Sequence, residues 1–365
     1  MTDFASGYPF TLDPFQTEAC EALEDGLGVL VCAPTGAGKT IVGEFAVHLA
    51  LAEGRKCFYT TPIKALSNQK YNDLVDRYGP GNVGLLTGDN SVNGDAPVVV
   101  MTTEVLRNML YAGSTALANL GYVVMDEVHY LADRFRGAVW EEVIIHLPAS
   151  VRLVSLSATV SNAEEFADWL VTVRGDTKVI VDEVRPVPLW QHMQVGSRLF
   201  DLFRAGPGEA SKEVDPDLVR VVRERQRYVE PVRRGGRARG WRPPSRVDVI
   251  ERLDRDGLLP AITFIFSRAG CDAAVVQCVA AGLRLNSPAE AAEVREVAGE
   301  FTAGLAPDDL DVLGYWEWLD GLQRGVAAHH AGLIPTFKET VEELFARGLV
   351  KAVFATETLA LGINM

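Results

Sequence analysis

Two short stretches of this chain hold residue types that can handle a polyphosphate. The first is "APTGAGKT", residues 33–40. Closely spaced glycines let backbone amides turn inward, and a following helix adds the positive end of its dipole. Thr35, Gly36, Ala37, Gly38, Lys39 and Thr40 can therefore wrap phosphate oxygens. Lys39 would reach the β- and γ-phosphates, and the Thr40 hydroxyl would ligate Mg2+. The general pattern has glycine where this chain has Ala33. The second stretch is "MDEVH", residues 125–129. Asp126 would hold the same Mg2+ through water, and Glu127 would orient and deprotonate an attacking water. His129 is expected to couple the nucleotide state to a second domain. Ser157 and Thr159 of "SAT", residues 157–159, are expected to hydrogen-bond the acidic motif and report hydrolysis. The implied ligands are ATP and Mg2+, with Lys39, Asp126 and Glu127 as the catalytic set.

These groups act together only if regular elements carry them to one place. "GLGVLVC" reads as a strand before the loop, and "IVGEFAVHLALAEG" as a helix after it, the context a phosphate loop needs. "RKCFYTTP", "APVVVMTT", "LGYVVMDE", "VRLVSLSAT" and "KVIVDEV" are further strands, with helices between them such as "IKALSNQKYNDLVDRYG" and "SNAEEFADWL". Asn162 is a candidate cap for the last of these. Apolar strands alternating with helices imply a mostly parallel sheet covered on both faces, ending near residue 185.

From Arg185 the composition shifts. Residues 202–256 interrupt a second unit, and within 218–246 ten arginines face only Glu224 and Glu230. That stretch is expected to form no core, and its Trp241 is a candidate stacking residue. The strand–helix rhythm resumes at "LPAITFIFSRAGCDAAVVQCVAA". Residues 287–303 and 308–324 read as helices, as does "IPTFKETVEELFARG", and "LVKAVFAT" reads as a strand. The chain stops inside "ETLALGINM" and is expected to be a fragment.

The 365 residues suit two domains, and 48% apolar content supplies their cores. Net charge is −14, which disfavours a basic coat without excluding a local nucleic-acid groove. Five scattered cysteines suggest neither a metal cluster nor a disulfide framework. No signal peptide or long apolar span is evident, so a cytoplasmic, non-membrane protein is expected, and a monomer. Arginine outnumbers lysine 27 to 8, which hints at a GC-rich, bacterial genome.

The loop, "DEVH", "SAT" and their order resemble superfamily 2 helicases of the DExH type. The superkiller and exosome-associated RNA helicases, with their actinobacterial relatives, are the nearer resemblance. It implies an α/β fold of two RecA-like parallel-sheet P-loop NTPase domains. These would be residues 1–185 and a partial second domain, 186–365, carrying the arginine-rich insertion 202–256. "FTLDPFQTEA" resembles the adenine-side motif, which places Gln16 at the adenine edge with Phe10 or Phe15 nearby. "TTPIKALSNQKY", "GLLTGD" and "MTTEVLRNML" resemble strand-contacting motifs. They assign Pro62, Lys64, Ala65, Leu66, Gly88, Thr102, Thr103 and Glu104 to a nucleic-acid track. "DRFRGAVWEEVI" also matches the family. In the second unit "TFIFSRAGCD" supplies Ser267 and Arg268, and "VAAHHAGLIP" is a characteristic stretch. "VKAVFATETLALGINM" supplies Thr356 and Glu357 for nucleic acid and Gly362 for the nucleotide.

The resemblance implies ATP bound between two domains that close and part, moving single-stranded RNA or DNA through backbone contacts, 3′ to 5′. Duplex substrates and RNA-processing proteins are the partners it implies. The family's γ-phosphate arginine motif falls beyond the last residue, so weak hydrolysis is expected of this segment alone. An ATP-dependent RNA helicase is the expected function, toward which "IKALSNQK" and "HHAGLIP" lean by resemblance, and a DNA helicase of repair is the alternative. A non-catalytic scaffold conflicts with intact Lys39, Thr40, Asp126 and Glu127, and a metabolic kinase with the paired second-unit motifs.

Overall fold

Apolar runs without polar alternation form strands whose two faces are both covered. In the computed structural model, which describes residues 1–134, 136–158, 163–204, 213–227, 244–356 and 359, such runs build two units, Met1–Leu189 and Trp190–Met365. The first has eight strands: β1 (Gly28–Cys32), β2 (Lys56–Thr61), β3 (Val83–Leu86), β4 (Ser91–Val92), β5 (Val98–Thr102), β6 (Leu120–Met125), β7 (Arg152–Ser157) and β8 (Thr177–Val181). Their order across the sheet is β4-β3-β5-β2-β6-β7-β1-β8. All pairings are parallel except β4 on β3.

Among the described residues seven α-helices accompany the sheet: α1 (Thr2–Ala5), α2 (Pro14–Glu24), α3 (Thr40–Ala52), α4 (Lys64–Tyr78), α5 (Thr103–Tyr111), α6 (Gly137–His146) and α7 (Ala163–Arg174). Because side chains alternate along a strand, Val29, Val31, Tyr59 and Val124 pack beneath α2, α3 and α4. Leu30, Cys32, Phe58 and Met125 pack on the opposite face beneath α5, α6 and α7. Parallel pairing brings the carboxyl ends of β5, β2, β6, β7 and β1 to one edge as neighbours. Every motif of the first unit that follows a strand therefore emerges there.

The second unit has strands β9 (His192–Val195), β10 (Arg198–Asp201), β11 (Ala261–Phe264), β12 (Val326–His329) and β13 (Ala352–Ala355). Its helices are α8 (Pro216–Arg227), α9 (Arg246–Arg255), α10 (Arg268–Ala280), α11 (Pro288–Thr302), α12 (Pro307–Val312), α13 (Tyr315–Gln323) and α14 (Pro335–Ala346). Strands β11, β13 and β12 form a parallel sheet in that order. Helices α9 and α10 cover one face and α11, α13 and α14 the other. Among the described residues no helix is long and apolar enough to cross a membrane.

Two expectations differ from what is found. The helix read over 308–324 is broken in two, because Gly314 takes a left-handed conformation (φ 69°) between α12 and α13. The stretch 218–246 is not wholly coreless. Leu218, Val221 and Val222 give α8 an apolar side that packs on Val195 and Phe200 of the β9–β10 hairpin. Helix α9, also inside 202–256, buries Ile250 against α10. Asn162 and Trp241 lie outside the described residues.

Trp140 of α6 is among the largest fully buried side chains, and its ring stacks on Tyr130 at 5.8 Å, just beyond the acidic turn. Arg136 lies over the other ring of this pair, 5.3 Å from the Tyr130 centroid. Trp140→Ala leaves a cavity against the segment that follows Asp126 and Glu127. Chemical denaturation is expected to show a loss of about 3–5 kcal/mol.

Candidate functional site

The loop after β1 begins as a continuation of the sheet, with the Ala33 amide donating to the Ser157 carbonyl at 3.1 Å. Gly36 and Gly38 then adopt φ of 86° and 81°, which a side chain would oppose. Gly38 is also pressed: an added Cβ would stand 2.6 Å from Gln16 Nε2. Thr40 opens the 13-residue helix α3, so the loop meets a helix N-terminus. The buried Lys39 donates from Nζ to the carbonyls of Ala33 (2.7 Å) and Pro34 (3.0 Å). Burial depresses its pKa, while Glu127 and Asp126 oppose that shift.

Asp126 directly follows β6, and its amide extends the ladder to the Thr60 carbonyl at 2.9 Å. Its Oδ2 accepts the Tyr59 hydroxyl at 3.0 Å and its Oδ1 accepts the Glu127 amide at 2.9 Å. Burial raises the Asp126 pKa, against the pull of Tyr59, Lys70 and Lys39. Glu127 is one of three non-glycine residues with positive φ (φ 53°, ψ 43°) among the described residues. Such a conformation costs about 1–3 kcal/mol and turns the chain sharply between the two acids. Burial, and then the charge of Asp126, push the Glu127 carboxyl up to about 7, while Lys39 pulls the other way.

His129 stands between the acidic turn and the end of β7. Its Nδ1 lies 3.3 Å from Glu127 Oε2 and accepts the Ala158 amide at 3.4 Å. Burial lowers its pKa, assisted by the charge of Lys39. Ser157 differs from expectation: its hydroxyl donates to the adjacent Ala158 carbonyl at 2.8 Å rather than to the acids. The Ala158 amide instead meets the ring of His129, which stands beside Glu127. Thr159 lies outside the described residues.

Gln16 of α2 is buried with both ends of its amide engaged. Nε2 donates to the carbonyls of Ala37 and Gly38, each at 3.2 Å, and Oε1 accepts the Asp13 amide at 2.8 Å. Beside it is an open cleft of about 540 Å³ reaching from Phe15 and Ala37 to Ile180 and Asp182. That volume suits a nucleoside-sized ligand. Phe10 does not line the cleft; it is 53% exposed and packs on Tyr8. For Mg2+, no cluster of three His, Cys, Asp or Glu occurs among the described residues. The ion needs none, since it keeps waters and binds one or two carboxylates together with substrate phosphates. Thr40 and Asp126 fit that donor set.

Pro62, Lys64, Gly88 and Thr103 follow β2, β3 and β5, which are adjacent in the sheet, and Thr102 is the last residue of β5. Their side chains differ in availability. Thr103 is fully buried, with its hydroxyl on the Thr61 carbonyl at 3.3 Å, and Thr102 is also buried. Lys64 is exposed and pairs with Asp89 at 2.9 Å, beside Gly88. In the second unit Ser267 caps α10, its Oγ accepting the Gly270 amide at 3.2 Å. Arg268 lies beside Gly332, whose amide donates to His330 Nδ1 at 3.1 Å. His330 Nε2 in turn meets Asp272 of α10 at 2.9 Å. Thr356 donates its amide to the His329 carbonyl at 3.2 Å. Glu357 and Gly362 lie outside the described residues. Tyr59, Asp89, His330 and Asp272 were not assigned roles from sequence. Only "HHAG" carried a signal, as a family stretch.

A family model described as DEAD/DEAH box helicase matches residues 13–166. The chain is 67% identical over 370 residues to the "Probable helicase HelY" of Mycobacterium tuberculosis, covering 99% of this chain and 41% of that protein. It is 41% identical over 401 residues to the "DExH-box ATP-dependent RNA helicase DExH15 chloroplastic" of Arabidopsis thaliana, covering 100% of this chain and 34% of that protein. It is 40% identical over 364 residues to the human "Exosome RNA helicase MTR4", covering 99% of this chain and 34% of that protein. The chain thus spans well under half the length of these relatives.

The metal-free site has a pH signature. The folded Glu127 carboxyl titrates near 7 against its ordinary 4.5, so the folded state holds this proton more tightly than the unfolded chain does. The stability it contributes is complete below pH 4.5 and is lost as pH rises through about 7. In EDTA, Glu127→Gln is expected to melt higher than wild type at pH 8 and to converge with it near pH 4.5. Melting curves separated by a constant interval at every pH would contradict this.

Proposed function

Because the chain belongs to the superfamily 2 DExH-box helicases, related to actinobacterial HelY and eukaryotic MTR4, we propose that it is the motor segment of an ATP-driven RNA helicase. The observation that carries this reading is the meeting, at one sheet edge, of the Gly36–Thr40 loop with Asp126 and Glu127. Residues 1–185 form the RecA-like ATP-binding domain in this reading. Residues 186–365 form part of a second RecA-like domain, with 202–256 inserted. The three-stranded parallel sheet with helices on both faces supports that assignment.

The loop amides and Lys39 bind the polyphosphate, and Gln16 holds the loop in register. The Phe15-lined cleft receives the nucleoside. Thr40 and Asp126 hold Mg2+, which when bound supplies charge neutralisation at the phosphates. Glu127 orients a water and takes its proton, a role suited by a carboxyl poised near neutrality. His129 joins Glu127 to the end of β7 and carries the state of the acidic turn outward. Lys64, Gly88 and the backbone around Pro62, Thr102 and Thr103 meet the nucleic-acid backbone in the first unit. Ser267, Arg268, Thr356 and Glu357 do so in the second, and Gly362 belongs to the nucleotide side. Movement runs 3′ to 5′ along a single strand, with RNA-processing proteins as partners. RNA is preferred to DNA because the Arabidopsis and human relatives are named as RNA helicases.

ATPase assays on the full-length protein, with single-stranded RNA and DNA of matched sequence, test the substrate. RNA is expected to stimulate more strongly; equal or stronger stimulation by DNA would favour a repair helicase. Glu127→Gln is expected to bind ATP with near wild-type affinity and to lose stimulated turnover by about 100-fold or more. Unchanged turnover removes Glu127 as the base.

A further inference from the structure

We infer that Tyr59 is a positioning residue for Asp126, its buried hydroxyl fixing the carboxylate that faces the metal. This rests on the ATP-site reading above. Tyr59 lies in the middle of β2, fully buried on the α3 side of the sheet among Cys57, Tyr122 and Val124. A phenol in such a core needs a partner for its hydroxyl, and it has one: Asp126 Oδ2 at 3.0 Å.

The space for that ring is made by the helix that leaves the phosphate loop. An added Cβ on Gly43 of α3 would stand 2.9 Å from Tyr59 Cε2, 3.2 Å from its hydroxyl and 3.1 Å from Val124 Cγ1. Gly43 does not have positive φ, so its lack of a side chain, rather than its backbone freedom, is what this contact uses. Glycine weakens a helix interior relative to alanine, so a helix carrying one here gives up stability for the close approach. A phenylalanine would fill the same core volume. The hydroxyl is the added feature, and it points at one atom of the acidic motif.

The two Asp126 oxygens each hold one donor, Tyr59 on Oδ2 and the Glu127 amide on Oδ1. Together the donors set the carboxylate plane and leave lone pairs free on both oxygens. Without Tyr59 only the amide of the neighbouring residue orients the group. Burial and the charge of Asp126 push the phenol pKa well up, so it remains a donor over the working range. Lys70, 5.6 Å from the ring centroid and shared with Glu44 and Asp73, supplies charge rather than a hydrogen bond. Partners that orient a metal-binding carboxylate typically change metal affinity by about 10–100-fold when removed.

The test is Tyr59→Phe in the full-length protein, read by the Mg2+ dependence of binding of a fluorescent ADP analogue. The Mg2+ midpoint is expected to rise about tenfold, with nucleotide affinity in EDTA unchanged. Gly43→Ala, which keeps the hydroxyl and displaces the ring, is expected to shift the midpoint in the same direction. In an Asp126→Asn background the effect of Tyr59→Phe should vanish, because the pair acts as one unit. A wild-type Mg2+ midpoint in Tyr59→Phe, even with a lowered melting temperature, would reduce Tyr59 to a packing residue and overturn the inference. If the wild-type protein itself shows no Mg2+-dependent nucleotide binding, the ATP-site reading fails, and this inference with it.

Discussion

Parallel strand pairing is the constraint on which the chemistry of the first unit depends. A parallel pair cannot close with a tight turn, so each strand returns through a crossover, most often a helix, and the helices bury both faces of the sheet. Side chains within β1, β5 and β6 are therefore mostly apolar, and those of β2 are buried even where polar, as at Thr60 and Thr61. The polar groups open to a ligand are those at or just past the strand ends, while a polar group inside a strand, such as Tyr59, can act only through them. The order β5-β2-β6-β7-β1 sets those ends side by side. Thus Thr61, Asp126, Ser157 and Ala33, far apart in sequence, start neighbouring loops.

The same burial sets the electrostatics. Asp126 and Glu127 sit at the rim of a low-dielectric core, the charge of Asp126 further disfavours that of Glu127, and Lys39 loses hydration beside them. Each group eases the others, since the acids raise the Lys39 pKa and Lys39 lowers theirs. A divalent cation complements the carboxylates as a polyphosphate complements the lysine. In the proposed reaction, one metal–nucleotide pair relieves both desolvation costs at once.

The loop and the acidic pair were legible because each is a contiguous string whose flanks fix its element. What stayed hidden depends on contacts between distant segments. Nothing in "CFYTT" marks Tyr59, because its significance lies in Gly43 on α3 and Asp126 after β6. Gln16 was placed at an adenine edge by resemblance, yet its amide is engaged by the loop carbonyls, 21 and 22 positions away. Thr103 matched a strand-contacting motif, but sheet burial turns its hydroxyl inward to Thr61. Residues 308–324 read as one helix in the sequence, and the left-handed backbone at Gly314 separates α12 from α13.

The loop shows how side chains can shape a cradle from within before any ligand arrives. Lys39 takes the carbonyls of Ala33 and Pro34, and Gln16 takes those of Ala37 and Gly38. In a planar trans peptide the amide N–H points opposite the carbonyl. The N–H groups that follow three of these carbonyls, those of Thr35, Gly38 and Lys39, are thereby directed away from Lys39 and Gln16. Two side chains holding acceptors on one side thus present donors on the other, and Gly36 and Gly38 permit the turns this requires. Such a surface suits an anion, because its donors are aligned before a phosphate arrives and little ordering remains for binding to supply.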